Sequence, residues 1–197
     1  KKLFFSNEKF NSENLILVEF NPHKPALIGL LYLIKVLRNH HKAKIIVYYP
    51  QITFGIFKYF KRFFGIHIIA LKNLLILKFI GCKFKVFSKL RNEDLPFINR
   101  EYAEIIKNLK EKKDIPHLKI ENILVGDLFY DTYTRYNSEP TVSLDNSHFK
   151  KKLFEYLREF YYWFNLIKDS SIKSIIVTHP VYNLALPLRI GQKFNIP

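Results

Sequence analysis

Two histidines stand just beyond apolar runs. His23 comes after Leu15-Ile16-Leu17-Val18-Glu19-Phe20 and the break Asn21-Pro22, and His179 after Ser174-Ile175-Ile176-Val177-Thr178. Imidazole titrates near neutrality and can take a proton from a sugar hydroxyl, although a histidine at a strand end also serves simply to satisfy backbone groups. Asp127, Asp131 and Arg135 recur every fourth residue, which on a helix aligns them along one face. The carboxylates there suit hydroxyl groups or a cation, and the guanidinium suits a phosphate held through two parallel N–H donors. The plainer account is an i,i+4 ion pair worth about 0.3–0.5 kcal/mol. Gly126, Tyr130, Tyr133 and Tyr136 surround the stripe with hydroxyl-bearing rings of the kind that line sugar-binding clefts, which favours the functional account. A third feature is Ile52–Phe64, where Lys58, Lys61 and Arg62 sit among phenylalanines. Such a helix suits a membrane interface, or a core from which lysines reach outward.

Several chemistries lack their residues. There is no GxxxxGKS/T phosphate loop, no GxGxxG after the first apolar run, no GxSxG elbow and no zinc-like Cys/His spacing. P-loop, ordinary dinucleotide, serine-hydrolase and zinc readings lose support accordingly.

The elements that must position these residues alternate. The run at 15–20 reads as a strand buried on both faces, and Ala26 to Asn39 as a helix with Leu27, Leu30, Leu31, Ile34 and Leu37 on one side. Ala43–Tyr49 reads as a second strand, so the pair implies a parallel crossover. Helices are expected at 53–64 and 73–80, then a short strand near Phe84–Phe87 and a helix over Arg100–Lys112. Ile120–Asp127 leads into a helix over 128–136, with Asp127 placed to cap it. A long aromatic helix is expected from about Phe149 to Lys168, a buried strand over Ser174–Thr178 and a closing helix over Val181–Phe194. This alternation predicts an α/β protein with a Rossmann-like three-layer parallel sheet, and residues 1–197 read as a single domain. In such sheets ligands bind beyond the carboxyl ends of the strands, where both histidines fall.

The composition sets wider bounds. The chain has 197 residues, 48% of them hydrophobic, enough for a packed core. One cysteine, Cys82, excludes a disulfide framework and suggests a reducing, cytoplasmic setting. No run reaches the roughly 20 apolar residues of a membrane helix. Residues 1–90 carry 16 Lys/Arg against 3 Asp/Glu, and residues 91–197 carry 16 against 14. That lopsided field favours polyanions: anionic lipid, nucleic acid or phosphorylated substrates. Codon bias toward Lys, Ile, Asn, Phe and Tyr accounts for many lysines but not for their segregation. With no Met at position 1 and an ending at Asn195-Ile196-Pro197 that leads into a strand, the chain reads as a fragment.

The segment Val125-Gly126-Asp127-Leu128-Phe129-Tyr130-Asp131-Thr132-Tyr133-Thr134-Arg135 resembles bacterial capsular and surface polysaccharide biosynthesis proteins. In that family a "GD-apolar-x-YD-x-Y-x-R" segment precedes a long aromatic helix and a strand ending in "SH-x-x-Y". Here the last element reads Thr178-His179-Pro180-Val181-Tyr182, with Thr in place of Ser. The resemblance implies the N-terminal half of a GT-B glycosyltransferase, with a donor domain lying beyond this fragment and the fragment inactive alone. It implies His23 and Asp127 as candidates for the base, and Asp131, Arg135, His179 and Tyr182 as acceptor-binding residues, all facing one groove. No metal and no cofactor are expected in the fragment itself; a nucleotide-sugar donor is expected for the full-length protein. The expected partners are a saccharide or lipid-linked saccharide acceptor and an anionic membrane surface, with a cytoplasmic location peripheral to the inner membrane. A basic nucleic-acid-binding module or a non-catalytic docking domain is the alternative. Nucleic acid is disfavoured because the bases are scattered rather than arranged in a reader motif.

Overall fold

The computed structural model describes residues 13–21, 23–49, 83–86, 94–137 and 140–197. The helices expected at 53–64 and 73–80, the aromatic-basic segment, Cys82 and the opening twelve residues lie outside them. The chain divides into two compact units. One comprises residues 1–87, 170–178 and 197, the other 88–169 and 179–196.

The first unit is α/β. Strands β1 (Leu15–Glu19), β2 (Lys44–Tyr49), β3 (Lys83–Val86) and β6 (Ile172–Ile176) form a sheet in the order β3-β2-β1-β6. Every neighbouring pair is parallel, with Leu17 opposite Ile46 on one side and Ile175 on the other. Runs such as Ile16-Leu17-Val18 and Ile45-Ile46-Val47 suit this setting, because β-branched side chains pack well on a pleated surface covered on both faces. All six of these residues are buried. Helix α1 (Lys24–His41) connects β1 to β2. Pro25 fixes backbone geometry in its first turn, and Arg38, His40 and His41 place basic groups at its negative end. Lys42 stops it in a left-handed conformation, and the backbone N–H of Ala43 bonds back to Arg38. Leu27 and Ile34 pack into a cluster with Ile16, Val18, Phe20, Ile45, Val47 and Ile176, flanked by Leu30, Leu31 and Leu37. Each fully buried aliphatic side chain contributes about 1.5–3 kcal/mol. The opposite face of α1 presents Ile28, Tyr32, Leu33 and Val36 to solvent.

The second unit is mainly helical. Among the described residues it comprises helix α2 (Leu95–Asn108), a 3-10 turn (Lys112–His117), helix α3 (Gly126–Asn137), helix α4 (Ser147–Asp169), a second 3-10 turn (Asn183–Ala185), helix α5 (Leu186–Lys193) and one small hairpin. The hairpin pairs β4 (Lys119–Ile120) antiparallel to β5 (Ile123–Leu124). Its two loop residues, Glu121 and Asn122, both have positive φ, the twist that two-residue hairpins favour. The sequence pattern suggests only a lead-in to a helix there, because two-residue strands are too short to show an alternating period. Helix α4 is the spine of this unit, burying Phe149, Leu153, Tyr156, Leu157, Phe160, Trp163 and Ile167. Phe129 of α3 packs its ring against Phe149 and Tyr156.

Gly126 makes the join between hairpin and helix feasible. A Cβ at this position would lie 1.8 Å from the carbonyl oxygen of Ile115 and 2.7 Å from the backbone nitrogen of Leu118. The Gly126 N–H donates to the Leu118 carbonyl at 3.0 Å, so the close approach is bonded in place. At the other end, Pro187 starts α5 in its first turn, which splits the expected helix over 181–194 into a 3-10 turn and a shorter helix.

Candidate functional site

Within the second unit, helix α3 meets the turn that follows His179. The side chain of Arg135 donates from Nη1 to the Tyr182 hydroxyl at 3.0 Å, and its guanidinium carbon lies 5.1 Å from the Tyr182 ring centre. Tyr136 approaches the same ring edge-on at 6.3 Å. One turn earlier, the Thr132 hydroxyl donates to the Leu128 carbonyl at 2.7 Å and accepts the Asn183 backbone N–H at 2.9 Å. The amide of Asn183 in turn donates to Glu159 Oε2 on α4 at 3.1 Å. Two segments about 50 residues apart in sequence are thus fastened side by side.

Tyr182 pays for its place in this junction with an unusual backbone. Its φ of 61° and ψ of −176° belong to a region almost reserved for glycine. Such a conformation costs on the order of 1–3 kcal/mol and persists only where surroundings over-determine it. Here they are the Arg135 bond, the Tyr136 ring, and the Ala185 N–H that donates to the Tyr182 carbonyl at 3.1 Å.

Asp127 does not cap α3 or pair along its stripe. Its Oδ2 accepts from Arg189 of α5 at 2.6 Å, while Arg189 Nη1 also bonds the Leu124 carbonyl at 3.1 Å. The second oxygen, Oδ1, is shielded from water and has no partner among the described residues. Arg135 has turned to Tyr182, so the i,i+4 pair with Asp131 does not form. Asp131 and Arg135 are exposed, as is His179.

Beneath this junction sits a group with altered chemistry. Glu159 as a whole is only half-buried, yet its Oε1 is shielded from water and has no hydrogen-bond partner among the described residues. The carboxyl end decides the titration. Burial pushes Glu159 up to about 8, partly opposed by hydrogen bonds from Asn183 and Trp163. Nearby Tyr156, whose hydroxyl donates to the Val125 carbonyl at 2.9 Å, is held well above its ordinary value by desolvation and then by the charges of Glu159 and Asp127.

The first unit has a polar cluster of its own at the carboxyl end of β1. The buried Glu19 carboxylate accepts the Thr178 backbone N–H at 2.6 Å. Asn21 donates from Nδ2 to the Thr178 hydroxyl at 3.1 Å and accepts the His23 N–H through Oδ1 at 2.8 Å. His23 is exposed, just before α1. A carboxylate and an amide thereby tie together the loops that leave two neighbouring parallel strands.

Of the residues expected to act together, Arg135 and Tyr182 touch. Asp127, Asp131 and His179 belong to the same unit, and His23 to the other. Glu19, Asn21, Glu159, Asn183 and Arg189 were not anticipated. Glu19 carried a signal, a carboxylate closing an apolar strand; Arg189 and Glu159 carried none, as charged residues on amphipathic helices normally face water. Among the described residues no group of three or more His, Cys, Asp or Glu could hold a metal ion, and no helix is long and apolar enough to cross a membrane. No family model, curated protein or solved structure matches the chain.

Proposed function

We propose that this chain is the acceptor-side, Rossmann-like part of a GT-B glycosyltransferase that builds surface polysaccharide. The carrying observation is the hydrogen bond from Arg135 to Tyr182. These are the closing residues of the two segments, "GDLFYDTYTR" and "THPVY", on which the family resemblance rests. Two matching sequence pieces have more weight when they pack as one structure than when they are merely present. The parallel order β3-β2-β1-β6 supports the fold half of the reading, since ligands of open parallel sheets sit beyond the carboxyl ends of the strands.

Roles follow from the surroundings. Asp127 already holds Arg189, so it suits organising the start of α3 better than proton abstraction. His23, exposed at the carboxyl end of a central strand, is the stronger candidate for a general base. Asp131, Arg135, His179 and Tyr182 would contact the acceptor, and a nucleotide-sugar would supply the transferred residue. The excess of cations in residues 1–90 would favour an anionic membrane carrying lipid-linked acceptors. Deleting the gene in its host and comparing extracted surface polysaccharide tests the proposal. Loss or truncation of the polymer, restored by the wild-type gene, is expected; an unchanged polymer overturns it.

A further inference from the structure

We infer that Arg135, Tyr182 and Tyr136 form a subsite for an anionic saccharide, a sugar ring bearing a phosphate or carboxylate group. The inference rests on the acceptor-binding reading above and adds the charge of the ligand to it. An arginine has five N–H donors, and the bond to Tyr182 uses one of them. No other hydrogen bond or ion pair of its side chain is found among the described residues. An exposed arginine ordinarily waves in water, but this one is fixed at both ends of its reach. Its stem leaves a helix, and its head is held by the hydroxyl and lies near the ring of Tyr182. A pre-positioned, planar, cationic fork is the usual partner of phosphate and carboxylate.

The aromatic half of the subsite addresses the sugar. The Tyr136 and Tyr182 rings meet at 63° beside the guanidinium, and tyrosine, with an apolar body and a polar tip, suits the C–H and hydroxyl surface of a pyranose. Tyr182 is held there at a backbone conformation that a tyrosine avoids, and strain of that kind tends to collect at ligand-binding turns. Asp131, one turn before Arg135 and exposed, opposes an anion electrostatically and favours hydroxyl donors. The pair therefore separates two parts of one ligand: oxyanion toward Arg135, neutral hydroxyls toward Asp131.

Isothermal titration of the chain with glucose 1-phosphate, glucuronate and glucose tests this. At least one of the two anionic sugars is expected to bind more tightly than glucose, and which one does so distinguishes a phosphate from a carboxylate source. Arg135→Gln should weaken that ligand about tenfold to a hundredfold and glucose by far less, so that the preference for the anionic sugar is lost. Asp131→Asn should strengthen it a few-fold, and Tyr182→Phe, which keeps the ring but frees the arginine, should weaken it a few-fold. No preference for either anionic sugar over glucose, or a preference that survives Arg135→Gln, overturns the inference. A preference that depends on Arg135 in a protein whose loss leaves surface polysaccharide intact would sink the glycosyltransferase reading and keep this one. The opposite pair of results would do the reverse.

Discussion

Replacing Glu159 with glutamine should change how the stability of this protein depends on pH. In the folded chain the carboxyl keeps its proton until about pH 8, whereas its ordinary value is 4.5. Between those limits the folded state holds a proton that the unfolded chain has released. Stability is therefore fully present below pH 4.5 and is lost as pH rises toward 8. The slope cannot exceed one proton, about 1.4 kcal/mol per pH unit, which caps the loss at about 5 kcal/mol. Because the stem of Glu159 is partly exposed, water reaching the carboxyl would reduce this to on the order of 2–4 kcal/mol. Glutamine is nearly isosteric, never ionises, and retains an oxygen for the Asn183 amide. Urea unfolding of both proteins from pH 4 to 9 isolates the effect, since every other titrating group is common to the two. The variant should match wild type within about 1 kcal/mol at pH 4 and exceed it by about 2–4 kcal/mol at pH 9. Parallel stability curves across that range would show that the carboxyl is not desolvated, and the reasoning would fail.

Other substitutions probe the remaining features. Gly126→Ala forces a methyl against the Ile115 carbonyl and should cost about 3 kcal/mol or more, read as a lower urea midpoint, because backbone rather than a flexible side chain must move. Leu153→Ala and Phe160→Ala, both in the fully buried spine of α4, should each cost about 2–5 kcal/mol in the same assay. Arg189→Met should cost about 1 kcal/mol, since the pair with Asp127 is partly exposed, and the loss should shrink in high salt. Arg135→Gln removes one support of the strained Tyr182 backbone and should cost about 1 kcal/mol in the same assay, small enough to leave the protein folded for ligand measurements.

The sequence made some levels of this structure plain and hid others. Strands β1, β2 and β6 announced themselves because a parallel strand buried on both faces reads as an uninterrupted aliphatic run, and α1 and α4 because apolar residues recur at helical pitch. The hairpin at Lys119–Leu124 was missed, for two-residue strands give no period to detect and Glu121-Asn122 is not a strong turn signature. The stripe of Asp127, Asp131 and Arg135 was placed on a helix face as expected. Its partners were not foreseeable, because Arg189 and Tyr182 arrive from segments about 50 residues or more away. Spacing along one helix predicts which side chains are neighbours, but competition from other elements decides which of them pair.

Strand β1 sits at the middle of its sheet, yet one of its neighbours is Ile172–Ile176, encoded more than 150 residues later. During synthesis at about 5–20 residues per second, β1 therefore waits roughly 10–30 s with one hydrogen-bonding edge unmatched. For that interval its aliphatic run offers a template for mispairing, and closing so wide a loop makes sheet completion slow. A nascent chain of this protein should be an especially demanding client for ribosome-associated chaperones, and ribosomal stalling before residue 172 should leave an aggregation-prone product.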